Sequence, residues 1–172
     1  YQQVFRTLRD LQAEVEAQSD SALKTKILRK LGDSLRAIGE LEKAGTALQE
    51  SLAIAQALDH PSLVAATTLS LGNLEQGRFK VAFELISNAA ALRHAQQSLA
   101  YYQEAASLDD GVLGIQARLN VMQLLTNPIV AQWDTAIRFY PTVRDRLAEL
   151  PPGRTAIYGY VGLAENLITV NT

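Results

Sequence analysis

The stretch Leu28-Arg29-Lys30-Leu31-Gly32-Asp33-Ser34-Leu35, followed by Ala44 and Leu48, decides the fold of this chain. Leu28, Leu31 and Leu35 fall at steps of three and four, which places them on one face of a helix. Gly32 adjoins that face. A residue without a side chain there lets a facing helix approach closely. Ala44 is the small partner on that second helix, and Leu48 with the three leucines fills the space around the contact. The spacing predicts two helices, 21–38 and 41–58, packed as a hairpin.

The same period extends in both directions. Val4, Leu8, Leu11 and Val15 keep it, as do Leu41, Ala44, Leu48 and Leu52, and no sustained alternation of period two occurs. Proline suits the first helical turn, so Pro61, Pro128 and Pro151-Pro152 read as helix starts. Pro141 falls inside a helical segment and predicts a kink or break. Ser19-Asp20-Ser21, Asp59, Asp109 and Asp110 offer capping side chains. The chain reads as all-α, with eight helices at 2–18, 21–38, 41–58, 61–77, 79–107, 110–126, 129–148 and 152–170.

A shift of 40 residues aligns Leu8 with Leu48, Ala13 with Ala53, Ala17 with Ala57, Leu23 with Leu63, Leu31 with Leu71 and Gly32 with Gly72. The turns at 19–21 and 59–61 align too. A period near 40 that holds two helices implies stacked hairpins, each burying a face on its neighbour. The second unit departs from this. After Gly72 the small-and-aromatic pattern of a second helix comes late, at Leu99, Tyr101, Tyr102 and Ala105. Residues 77–97 therefore read as inserted, and Phe79, Phe83, Ile86 and Ala90 keep helical spacing through them. The expectation is a helix lengthened, or broken near Ser87-Asn88. Tyr160, Leu163, Ala164 and Leu167 repeat the motif in the last helix. In 110–126 either Leu119 or Asn120 holds the glycine position.

The Leu-x-x-Leu-Gly-x-x-Leu stretch with Ala44 and Leu48 resembles the tetratricopeptide repeat. Leu150-Pro151-Pro152-Gly153-Arg154-Thr155-Ala156-Ile157-Tyr158, after a helix containing Trp133, is similar to the repeat region of cyanobacterial CHAT-domain proteins. Leu69-Ser70-Leu71-Gly72-Asn73 and Tyr101-Tyr102-Gln103-Glu104-Ala105 are similar to it as well. The resemblance spans nearly the whole chain. It implies one repeat domain over 1–172, a right-handed superhelical solenoid of antiparallel helix hairpins. It also implies a caspase-like effector domain C-terminal to this piece.

Composition narrows the function. The chain has 172 residues with 16 Lys+Arg against 18 Asp+Glu, a balance without the basic excess of a nucleic-acid binder. No apolar run approaches eighteen residues, which argues against a membrane span. There is no cysteine, hence no disulfide, thiolate metal site or cysteine nucleophile in this sequence. A start at Tyr1 and an apolar end at Leu167, Ile168 and Val170 read as a piece of a longer chain. The absence of cysteine fits the cytoplasm.

Catalytic, cofactor and metal residues are not indicated. His60 reads as a polar residue in an inter-helix turn and His94 as a surface or groove histidine. They share no metal-binding spacing. No G-x-S-x-G turn and no phosphate-cradling glycine loop occurs. Trp133, spaced with Ile129 and Ile137, reads as a packed core anchor, and Tyr101, Tyr102, Tyr158 and Tyr160 as repeat packing. The charge run Lys24, Lys26, Arg29, Lys30 and Arg36 is more informative. In a solenoid of this kind the first helix of each hairpin lines the concave surface. The resemblance then implies a peptide-binding groove of Lys26, Arg29, Asp33, Arg36, Asn73, Gln76 and Glu165. A basic stripe there suits an acidic peptide segment or a terminal carboxylate.

The leading expectation is a protein–protein interaction scaffold without a cofactor, binding a peptide or partner domain through that groove. The alternative is a structural or regulatory spacer packed against its own C-terminal effector domain. In it the face of the last helix (Leu163, Leu167, Ile168, Val170) is covered by that domain or by a neighbouring copy. An enzyme ranks last.

Overall fold

The computed structural model describes residues 20–171 together with Arg6, Thr7, Asp10, Leu11, Ala13 and Glu14. Seven helices follow one another: α1 (Ala22–Ala37), α2 (Leu41–Ala57), α3 (Pro61–Glu84), α4 (Asn88–Leu108), α5 (Val112–Leu125), α6 (Trp133–Ala148) and α7 (Arg154–Asn171). No strand occurs among the described residues. The expected helix 2–18 lies mostly outside them, and each of its described residues is helical. No helix among the described residues is long and apolar enough to cross a membrane.

Local chemistry sets the helix ends. Ser21 is extended (φ −160°), and its side chain accepts from the Lys24 N–H, which caps α1. The turns after α1, α2 and α3 share one geometry. Gly39, Asp59 and Ile86 are all left-handed, with φ of 86°, 48° and 58°. In each turn the N–H groups of that residue and the next return to the carbonyls three and five residues back. Asp59 is therefore the residue that ends α2; it does not cap α3. Pro61 then opens α3, as expected.

Each helix packs on its successor, and α1 also touches α3, α3 touches α5 and α5 touches α7. Among the described residues α2 does not touch α4, nor α4 α6. Contact along the chain is thus continuous through the odd-numbered helices. The first core cluster joins Leu28, Leu31 and Leu35 of α1 to Ala44, Leu48 and Ile54 of α2 and Leu71 and Leu74 of α3. A Cβ added at Gly32 would lie 2.5 Å from Leu48 Cγ and 3.2 Å from the Ala44 carbonyl oxygen. The Gly32–Ala44–Leu48 contact read from the sequence is present.

Gly72 repeats that contact with Tyr102, whose ring carbons lie 2.5 Å from where a Cβ would be. The sequence distance is longer because the hairpin is longer. From Gly32 to the end of α1 is five residues, and from Gly72 to the end of α3 is twelve. From the start of α2 to Leu48 is seven residues, and from the start of α4 to Tyr102 is fourteen. Both helices gain seven residues, about two turns, around an unchanged three-residue turn. The expected end of a helix at residue 77 is thereby corrected: α3 runs through Gly77 to Glu84. The break near Ser87-Asn88 is present. Phe79, Ala82, Ala91 and Ala95 form the core of the extension, closed on one side by Leu124, Ile129 and Val130.

Four further expectations change. Pro128 and Pro151-Pro152 do not open helices; α6 starts at Trp133 and α7 at Arg154. Pro141 does not break α6, which continues through it with the ring exposed. Trp133 is the first residue of its helix and half-buried, and Ile137 is exposed; Ala136, Val143 and Leu147 are the buried residues of α6. In α7, Leu163 is buried against Val143 and Leu147, because the helix turns that residue inward onto α6. The exposed apolar residues there are Ile157, Tyr158, Tyr160, Val161 and Ile168. The side chain of Val170 lies outside the described residues.

Candidate functional site

Because the odd-numbered helices touch in series, their neighbouring polar residues meet. On α1, Asp33 sits one residue after Gly32. It accepts from Arg29 Nη1 at 3.5 Å and from Ser70 Oγ of α3 at 3.3 Å. Three residues on, the Arg36 stem lies beside Gly77 of α3. A Cβ added at Gly77 would lie 3.6 Å from Leu41 Cδ2 and 3.9 Å from Arg36 Cγ, ordinary van der Waals contact.

Asn73 follows Gly72 just as Asp33 follows Gly32. The Tyr102 hydroxyl comes through from α4 beneath it and is shared between Asn73 Oδ1 at 2.9 Å and Gln76 Oε1 at 3.3 Å. Asn120 Nδ2 of α5 donates to the same Asn73 oxygen at 3.3 Å, and Gln76 Nε2 donates to Gln123 Oε1 at 3.4 Å. Two carboxamide rungs therefore join α3 to α5. Asn166 Nδ2 of α7 then reaches the Leu119 carbonyl at 3.4 Å. Between α5 and α7 the row opens into a cavity of about 450 Å³, whose lining includes Asn120, Gln123, Asn166, Glu165 and Tyr158.

The electrostatics change along this row. The Arg36 guanidinium forms no ion pair among the described residues, and its Nε is buried without a hydrogen-bond partner. Burial pushes the Tyr102 hydroxyl up to about 12, opposed by its hydrogen-bonding neighbours and by the Arg36 charge. The rungs themselves are uncharged amides, able to donate and accept at once. Such groups can bind peptide main chain; they supply no nucleophile or base.

Of the residues named from sequence, Asp33 and Arg36 meet α3, Arg29 pairs with Asp33 within α1, Asn73 and Gln76 meet α5, and Glu165 lines the far cavity. Lys26 is exposed on α1 and joins none of these contacts. Sequence reading missed Tyr102, Asn120, Gln123 and Asn166. A signal for two of them exists: the Asn-x-x-Gln pair at 73 and 76 recurs at 120 and 123.

The histidines differ from one another. His60 lies in its turn, with Nδ1 3.1 Å from Ser62 Oγ. His94 is not a free surface group. Its Nδ1 lies 2.7 Å from Oε2 of Glu75, whose other oxygen accepts from Arg78 at 2.7 Å. Arg78 also pairs with Glu42 at 3.0 Å, so α2, α3 and α4 are tied at the base of the extended hairpin. Among the described residues no three His, Asp or Glu side chains are placed to hold a metal ion.

No family model matches the chain, and a comparison with curated proteins finds no match.

Proposed function

We propose that this chain is a protein–protein interaction scaffold and that the row from Arg29 to Glu165 is the concave face of a right-handed, TPR-like solenoid. The contacts among odd-numbered helices, without contacts among even-numbered ones, support an inner layer packed more tightly than an outer one. The resemblance of the Gly32 motif and of the Leu150–Tyr158 stretch to CHAT-associated repeats supports the same reading. One observation carries the function: the double carboxamide rung of Asn73–Asn120 and Gln76–Gln123, flanked by an unpaired Arg36. A preformed polar face on rigid helices suits an extended peptide, because little ordering is needed on the protein side.

The test is capture from native lysate with cross-linking, run beside an Arg29→Glu/Arg36→Glu variant of unchanged helicity. The expected result is a partner lost on substitution, with cross-links confined to α1, α3, α5 and α7. Equal capture by both proteins, with cross-links on α2, α4 and α6, overturns the reading.

A second reading is favoured by α7, where Ile157, Tyr160, Val161 and Ile168 are exposed together. There the chain serves as a spacer docked by this helix onto an effector domain of the same parent. Cross-links from the captured partner to α7 alone would select it.

A further inference from the structure

The cavity between α5 and α7 is lined by carboxamides that are bonded at one end only. Asn120 uses its Nδ2 on Asn73, and Gln123 its Oε1 on Gln76. Asn127 Oδ1 accepts from the Ile129 N–H, and Asn166 Nδ2 donates to the Leu119 carbonyl. These bonds fix which end of each amide stays free: the oxygens of Asn120 and Asn166, and the nitrogens of Gln123 and Asn127. Asn166 is only 7% exposed, yet its Oδ1 is neither bonded nor sealed from solvent. An acceptor in so buried a residue is costly to leave unmet. Tyr158 adds an open ring, 72% exposed, and no Lys, Arg or His among the described residues lines the cavity. Glu165, also on the wall, is engaged within the chain.

With no cation on the wall, a phosphate or carboxylate finds no counter-charge here, which disfavours a nucleotide or an acidic peptide. The free donors and acceptors come from three sides: α5, the connection after it, and α7. An extended peptide presents its polar groups along two opposite edges. A pyranose presents hydroxyls around its whole rim, each able to donate and accept, together with an apolar C–H face. That face suits the Tyr158 ring. The volume of about 450 Å³ falls within the range of small-molecule sites.

We propose that this cavity binds an uncharged saccharide. Its hydroxyls bond the free amide ends of Asn120, Gln123, Asn127 and Asn166, and its ring lies on Tyr158. The site is independent of peptide binding at Arg29 and Arg36, so either can fail without the other.

The test is saturation-transfer NMR with methyl glycosides of glucose, galactose, mannose and N-acetylglucosamine, and with methyl glucuronide as the charged control. The expected result is transfer to at least one neutral glycoside, strongest on the C–H protons of one ring face and insensitive to salt. Gln116 and Tyr158 are both exposed, so a Gln116→Ala/Tyr158→Ala variant should keep the parent's circular dichroism melt. It should lose at least tenfold in affinity for the same glycoside. Competition against that sugar carried on a protein separates two sources. Equal affinity points to a free saccharide, and tighter binding of the carried form to a glycan on a partner; both support the site. Transfer to none of the neutral glycosides, a preference for the glucuronide, or undiminished binding by the variant overturns the proposal.

Discussion

Two ring carbons of Tyr102 stand where a side chain at Gly72 would begin, and this one contact ties a core packing residue to the polar row. The ring is fully buried while its hydroxyl reaches Asn73 and Gln76. Its ionisation should therefore be coupled to folding. The hydroxyl is held up at about 12 in the folded chain against about 10 when unfolded. The folded state favours the neutral form, so this stabilisation is complete below pH 10 and is lost as pH rises from 10 to about 12. It amounts to about 2–3 kcal/mol. Urea unfolding at pH 8 and pH 11.5, compared with Tyr102→Phe, should show a smaller loss with pH in the variant. An equal loss in both would mean that the phenol is not shielded. At this scale the glycines were legible from sequence, since only a missing side chain explains their place among leucines. Tyr102 was read as a packing residue, but its polar role was not legible. The spacing from Gly72 to its partner had been altered by the insertion.

The hairpin of α3 and α4 shows what an insertion can do without disturbing a repeat. Seven residues in each helix add about two turns to both and keep the same faces opposed. The turn keeps its shape as well, but its left-handed position is occupied by Ile86, where the first hairpin has Gly39. A β-branched residue with φ of 58° is strained, and this side chain is 85% exposed, so no packing offsets the strain. Ile86→Gly should stabilise the chain by about 1 kcal/mol, a rise of a few degrees in melting temperature. A lower melting temperature would show that the exposed isoleucine side chain contributes a contact of its own. The break near Ser87-Asn88 was readable from sequence as two polar residues inside a long helical period. The run of α3 past Gly77 was not: a glycine inside a helix reads as an end, and the packing that carries α3 on, Phe79 and Ala82 against Ala91 and Ala95 of α4, lies across the hairpin. Of the kink or break expected at Pro141 the break is absent: its ring faces solvent, and packing on α5 and α7 carries α6 through it.

Across the whole molecule, stability resides in contacts between successive helices, with no single centre. A large residue at Gly32 must push Leu48 and the Ala44 backbone away. Gly32→Leu should cost about 1–3 kcal/mol or more. The loss should also be local. Hydrogen exchange should speed up in α1 and α2 while α5, α6 and α7 keep their protection, because the clusters that hold them contain no residue of the first hairpin. Uniform loss of protection along the chain would instead indicate one cooperative core.

The amino-acid sequence by itself determined that this protein is helical, where most turns fall and that Gly32 and Gly72 mark close helix contacts; in α7 it pointed to Ala164, which is exposed, whereas Gly159 is the residue set against Leu147 of α6. Those properties depend on residues within a few turns of each other, so the helical period exposes them. Only the tertiary structure decided which polar residues share a surface. Asn73 meets Asn120, and Gln76 meets Gln123, through the stacking of α3 on α5. His94 turns from a surface group into the partner of Glu75 through the pairing of α3 with α4. Leu163 turns inward because α6 lies beneath it. Each of these follows from how far one helix slides along the next. That offset is set by the summed packing of many side chains, and no local spacing records it.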